Sequence, residues 1–398
     1  MAGQPLSLYI HIPFCTLRCA YCDFNSYTKL DELIPPFTAA LETELRLFSV
    51  AAEGRPIPTV FFGGGTPSLL PTAHVSRIMN AVRRHYDLEA GAEVSLEANP
   101  GTVGEGYFAD LLDIGINRLS LGVQSFHDDE LTTIDRIHSA DEATSCYEDA
   151  RRAGFTRINL DLIYGLADQT MDRWRASLER AVSLAPEHLS LYALTVEEGT
   201  KLAYDIDHGN TPGPDPDMQA DMYEWSQKRL AGTAYAQYEI SNWSLPGEEC
   251  RHNLVYWRNE EWLGLGPGAH SHWGGHRFAD VYSPRRYIDL VSETEGGGPP
   301  SSSEPAPLLG AMRQVTFIDP QPRELRMADT AILALRLNSG LNLADFLARF
   351  GTSLEEMHGD ALTELMGAGL LERSNGNLRL TMRGRSLANE VFVRLLPD

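Results

Sequence analysis

The amino-acid sequence predicts an α/β protein: an open, TIM-like partial (β/α)6 barrel followed by a small winged-helix-like α+β domain. Three observations carry this expectation. Short apolar, β-prone runs alternate with longer helical stretches across roughly the first half of the chain, the pattern of parallel strands joined by helical crossovers. The alternation occurs six times, too few for a closed barrel of eight units. Beyond about residue 322 the chain turns helical and then carries a hairpin signal, a different rhythm that suggests a second unit. A doubly wound open sheet is the alternative architecture, because alternation by itself separates the two poorly.

The six strand-like runs are SLYIHI (7–12), PTVFFG (58–63), EVSLEA (93–98), NRLSLG (117–122), RINLDLIYG (157–165) and HLSLYAL (188–194). Between them FTAALETELRLFSVAA, AHVSRIMNAVRRHY and MDRWRASLERAVSLA read as helices. After residue 235 the rhythm breaks. AYAQYEISNW offers one more strand, GLGPGAHSHWGG reads as a glycine-rich loop region, and SETEGGGPPSSSEPAP (292–307) is loop-like by composition. GLLERSNGNLRLT (369–381) reads as two short strands around an Asn-Gly turn. The expected division is a barrel over 1–235, a barrel extension with glycine-rich loops over 236–321, and the winged-helix-like domain over 322–398.

Composition narrows the function. The 398 residues carry a net charge of −22, a field that repels nucleic-acid phosphates and anionic lipid surfaces. Residues 322–398 hold nine arginines and no lysine against ten acidic residues, whereas a DNA-binding wing should be basic. Nucleic acid is therefore not an expected partner. No apolar run reaches the roughly 20 residues of a membrane-spanning helix, and the N-terminal stretch lacks the pattern of a secretion signal. Five cysteines, an odd count, do not resemble a secreted disulfide framework. A cytoplasmic protein whose clustered thiols serve a metal is expected.

Three of those cysteines, Cys15, Cys19 and Cys22, fall in HIPFCTLRCAYCDF with C-x3-C-x2-C spacing, directly after the first strand. A short loop with these gaps can turn three thiolates toward one centre, and soft thiolates favour zinc or an iron–sulfur cluster. A structural zinc needs four protein ligands, and the fourth would have to be His11 or a distant group. Three thiolates on a four-iron cluster would instead leave one iron open to another ligand. With Tyr21 directly before the third cysteine, the motif resembles the signature of the radical S-adenosylmethionine (radical SAM) superfamily. That resemblance implies a [4Fe-4S] cluster on the three cysteines, SAM on the open iron, and a partial (β/α)6 barrel.

In a βα barrel the chemistry sits at the C-terminal strand ends. The second run leads into Gly63, Gly64, Gly65 and Thr66; the third carries Glu97; the fourth leads to Gln124, with Arg136 twelve residues later; the fifth carries Asp161. LYIHIPFC, GGGTPS, LEANPGT, RLSLGVQSF and NLDLIYGLA together resemble, in order, one branch of the superfamily. It comprises the oxygen-independent coproporphyrinogen III oxidases and the HemW-type heme chaperones. By that resemblance Tyr9, Tyr21, Gly64, Gly65, Thr66, Glu97, Gln124, Arg136 and Asp161 would contact SAM, with Ala193, beside Tyr192, lining the same pocket.

Two features separate oxidase from chaperone. The oxidase pattern continues C-x3-C-x2-C-x-C, whereas here Phe24 occupies the last position; only about eight residues precede Tyr9, too few for the oxidase's N-terminal extension. RHNLVYW (251–257) matches the H-N-x-x-Y-W pattern associated with heme in HemW-type proteins. This implies a heme site at His252, Asn253, Tyr256 and Trp257, an imidazole for iron beside flat rings for the porphyrin. His270, His272 and His276 are competing ligands. The resemblance thus implies a chaperone that binds a [4Fe-4S] cluster, SAM and heme. It would serve a heme-accepting apo-protein and draw on an electron donor, with a homodimer as one arrangement. The competing expectation is an enzyme acting on coproporphyrinogen III.

Overall fold

Six parallel strands form the body of the molecule, seen in a computed structural model that describes residues 3–296 and 302–397. They are β1 (Ser7–Ile12), β2 (Pro56–Gly64), β3 (Asp87–Ala98), β4 (Arg118–Gln124), β5 (Ile158–Tyr164) and β6 (His188–Ala193). Each pairs in parallel with the next in chain order. The crossovers contain α1 (Ile34–Phe48), α2 (Thr72–His85), α3 (Glu105–Ile114), α4 (Ala140–Ala153) and α5 (Met171–Leu184). The order never reverses, as a doubly wound sheet requires, so the partial barrel stands.

The local sequence accounts for these elements. β5, INLDLIY, is buried at every position except Asp161, the signature of a parallel strand covered on both faces. α1 buries Phe37, Leu41, Leu45 and Phe48, spaced to form one helical stripe. α4 starts on a capping box between Ser139 and Glu142 and stops at Gly154, whose φ is +112°. α5 buries Trp174 completely, and its indole N–H donates to Ser226 Oγ at 2.8 Å. Trp174→Ala should cost about 3–5 kcal/mol, read by urea denaturation of the apoprotein; an unchanged midpoint would show that this helix face does not hold the barrel.

Both barrel edges are extended. β6 pairs antiparallel with Asn242–Ser244, which pairs with Ala236–Gln237, so the single strand expected in AYAQYEISNW is a bent pair. β1 pairs in parallel with Trp262–Leu265, and His270–Trp273, His276–Asp280 and Val315–Pro320 follow antiparallel, completing a twelve-stranded sheet. The expectation of a loop region at GLGPGAHSHWGG is thus corrected: it contains two strands, with glycines at their turns. The backbones pack so closely that a Cβ on Gly264 would lie 2.1 Å from the His270 carbonyl oxygen, and glycine is what permits the approach. The loop expected over 292–307 lies partly outside the described residues; its first part continues the helix Pro284–Gly296, and Pro305–Ala311 is again helical.

One apolar core runs from Leu6 to Met312, and a second gathers residues from Met327 to Leu395. The second belongs to helices Arg323–Ala334, Leu343–Phe350 and Leu354–Gly367 with a three-stranded sheet. Its strands Leu371–Ser374 and Asn377–Leu380 are joined by Asn375 and Gly376, both at positive φ, the two-residue turn that Asn-Gly favours. No helix among the described residues is long and apolar enough to cross a membrane.

Candidate functional site

The loop after β1 carries Cys15, Cys19 and Cys22 over the C-terminal strand ends. A cavity of about 410 Å³ opens there, lined by all three cysteines and by Tyr21, Gly64, Gly65, Thr66, Glu97, Gln124, Arg136, Asp161 and Ala193. These residues come from the loop, from β2 to β6 and from the segment after β4. The fold brings them together because parallel strands direct every C-terminus to one rim.

All three thiols are free, and burial pushes those of Cys15 and Cys22 up. Among the described residues no three His, Cys, Asp or Glu side chains form a group that could hold a metal ion. His11 is unsuited as a fourth zinc ligand, since Nδ1 contacts Tyr9 Oη at 3.1 Å and Nε2 contacts the Asn25 carbonyl at 2.9 Å. Instead, the thiols border a volume. Thr66 Oγ1 lies 3.4 Å from Cys15 Sγ and accepts a hydrogen bond from Asn99 Nδ2 at 3.0 Å, leaving its own proton to point at the sulfur. Asn99 Oδ1 accepts from Arg136 Nη2 at 2.8 Å, and Arg136 Nη1 donates to Cys19 Sγ at 3.5 Å. A continuous arc of donors thus joins two of the sulfurs, an arrangement suited to thiolates. Asn99 was not singled out from sequence; its place in LEANP, two residues past Glu97, was the available signal.

The glycines are spatial requirements. At Gly64, where φ is +113°, a Cβ would stand 2.7 Å from the His11 ring; at Gly65 it would meet the Phe14 carbonyl at 2.7 Å and Cys15 Sγ at 3.1 Å. Gly64 N–H donates to Glu97 Oε2 at 3.2 Å. Burial, with the nearby Asp161 charge adding to it, pushes the Glu97 carboxyl up to about 8. Asp161 is raised by burial too, against hydrogen bonds from Ser120 and Asn159, each 2.8 Å. Gln124 has a φ of +67° beside a bulge between Gly122 and itself, which turns its side chain to the rim.

Tyr9 is the exception among the expected SAM contacts. It lies outside the lining of the cysteine cavity and borders two others instead: a deep one of about 240 Å³ with Asp161 and His252, and an outer one of about 350 Å³ with Phe24, Trp262, His270 and Tyr282. Glu97 borders all three.

The H-N-x-x-Y-W segment forms a helix, Arg251–Trp257. His252 is 1% exposed, with its ring 5.2 Å from that of Phe61. Nδ1 contacts Thr59 Oγ1 at 2.7 Å and Nε2 contacts Tyr256 Oη at 2.9 Å. Thr59 donates to Ser7 Oγ, so it accepts the Nδ1 proton, and Nε2 is left to accept from Tyr256. Burial lowers the imidazole to about 3. In this arrangement both nitrogens of the imidazole expected to serve iron are hydrogen-bonded within the core. Asn253 donates to Tyr238 Oη at 3.1 Å on the deep side. Trp257 borders none of the three cavities and lies under the Arg336 guanidinium. Of the four motif residues, Tyr256 is the one that borders both the deep and outer cavities.

Comparison with known proteins decides the family. Residues 9–181 match the Radical SAM superfamily and residues 321–387 the HemN C-terminal domain. Heme chaperone HemW of Mycobacterium tuberculosis is 39% identical over 399 residues, covering 100% of this chain and 96% of that protein. The chain belongs to the HemW family of radical SAM proteins. HemW of Bacillus subtilis is 36% identical over 394 residues, covering 98% of this chain and 99% of its own. In fold, the chain matches the coproporphyrinogen III oxidase HemN of Escherichia coli with a TM-score of 0.81 at 24% identity, covering 98% of this chain and 90% of that one. Membership in the HemW family implies a [4Fe-4S] cluster and SAM. The three-thiol cavity, the donor arc and the glycine clearance at Cys15 fit both.

Proposed function

We propose that this chain is a heme chaperone: it holds a [4Fe-4S] cluster on Cys15, Cys19 and Cys22, binds SAM in the adjoining cavity, and carries heme to an apo-protein. The observation that carries the reading is the convergence of all three thiols with Glu97, Gln124, Arg136 and Asp161 on one cavity. When bound, the cluster supplies one-electron chemistry, drawing on an external electron donor. The chain's own residues do the rest. The thiolates of Cys15, Cys19 and Cys22 would hold the cluster beside the cavity they line. Thr66 and Arg136 direct donors at Cys15 and Cys19, and Glu97 and Asp161 offer carboxyls to a cationic ligand. Gly64 and Gly65 keep the β2 backbone close.

Phe24, where the oxidase pattern places its extra cysteine, favours carriage over decarboxylation. Its ring is 60% exposed at the rim, an apolar surface where the enzyme pattern offers a thiol. The intact SAM-facing lining favours the second reading, an enzyme oxidising coproporphyrinogen III. One experiment separates them. The anaerobically reconstituted protein should retain heme through gel filtration and release it to apo-myoglobin, without decarboxylating coproporphyrinogen III in the presence of SAM and reductant. Failure to retain heme, together with decarboxylation, would reverse the assignment.

A further inference from the structure

We propose that heme occupies the outer cavity, with His270 as its iron ligand and Arg18 at a propionate; this rests on the heme-chaperone reading above. The cavity, about 350 Å³, is walled by Phe24, Tyr256, Trp262 and Tyr282, with His270 among them. Phe24 and Tyr282 are 60% and 55% exposed. Large aromatic faces left to water around one opening mark a site for an apolar ligand, and a porphyrin is a flat one.

His270 is the imidazole this cavity leaves free. Its ring makes no hydrogen bond to another described residue and is solvent-accessible. The other candidates are engaged or lie elsewhere. His252 is held at both nitrogens, and neither His272, which is buried in the sheet, nor His276 borders this cavity. His270's main chain is fixed, since Trp262 Nε1 donates to its carbonyl at 2.9 Å and Gly264 packs against it. An accessible imidazole on an anchored backbone can meet an iron bound in the cavity.

Arg18, which borders the adjoining cysteine cavity and reaches the Phe24 shared by both, supplies the charge. Its guanidinium donates to the carbonyls of Cys22 at 3.1 Å and Phe24 at 3.3 Å, and it has no carboxylate partner among the described residues. In a chain of net charge −22, an unpaired arginine beside Phe24 suits an incoming carboxylate. Phe24, Gly64 and Glu97 border both this cavity and the cysteine cavity, so heme here would lie next to the cluster, with an outer edge toward solvent for transfer.

The test is a titration of the cluster-reconstituted full chain with ferric heme. The Soret band would report affinity, and electron paramagnetic resonance the axial ligand. His270→Ala should lose the nitrogen-ligated signature and weaken binding by more than the roughly tenfold that losing even an outer-shell partner costs a metal site. Arg18→Gln should weaken it about threefold, as for an exposed ion pair, with the signature unchanged. His252→Gln should keep the signature. Cluster content, unchanged in both the His270 and Arg18 variants, and SAM affinity, unchanged in the His270 variant, report folding. Heme ligation intact in His270→Ala, or lost only in His252→Gln, would overturn this site while leaving the chaperone reading in place. Wild-type protein that binds no heme would overturn both.

Discussion

Alanine at any one of Cys15, Cys19 or Cys22 is expected to abolish the [4Fe-4S] cluster, and with it SAM binding. No other thiol can substitute. Cys146 sits in the core on α4 and Cys250 beside Glu93 at the barrel floor; burial pushes both thiols up to about 12, far from a ready thiolate. Neither borders the cysteine cavity. The apoprotein should stay folded, because the motif is a partly exposed loop anchored through main-chain bonds such as Ala20 N–H to the Ile134 carbonyl. Iron and sulfide analysis after anaerobic reconstitution, with far-ultraviolet circular dichroism as the fold control, reads the result. A single variant that kept its full iron and sulfide would sink the assignment.

The second large effect is a pH dependence centred on Glu97. Burial first, and the Asp161 charge second, hold its carboxyl protonated up to about 8. SAM brings an ammonium and a sulfonium, and a cation beside Glu97 favours the ionised form. Below about pH 8 binding should therefore release a proton, and affinity should rise with pH until it levels there. Glu97→Gln should flatten this slope and weaken binding most at the alkaline end. Calorimetry in buffers of different ionisation heat counts the proton directly. No proton release would remove Glu97 from contact with the ligand's cation. The same shift acts on stability with the opposite slope. Between about 4.5 and about 8 the unfolded chain has lost this proton while the folded apoprotein keeps it, so Glu97's contribution falls as pH rises through that window.

Much of the barrel was legible because its signals are contiguous. β5 reads as a buried parallel strand from seven adjacent residues, and the Asn375-Gly376 turn from two. The cluster motif is equally local: its spacing lies in one loop, and the strand ends that meet it are directed to one rim by parallel topology. Hence Glu97, Gln124, Arg136 and Asp161 could be named with the cysteines before any coordinates.

The strands from Trp262 to Pro320 were less legible, because a glycine-rich sequence is ambiguous until a neighbour offers hydrogen bonds, and β1 does so from the far end of the chain. Asn99 gains its meaning from Arg136, 37 residues away. His252 shows the limit most clearly. Its motif names a histidine beside aromatic rings but cannot say which way the ring faces; Thr59, 193 residues distant, decides that. The amino-acid sequence by itself determined the strand rhythm, the three-cysteine spacing and the family resemblance, since each depends on residue identity at short range. Which imidazole is consumed in the core and which is left at the rim was decided only by tertiary structure, because a side chain's free valences depend on partners that folding brings from elsewhere.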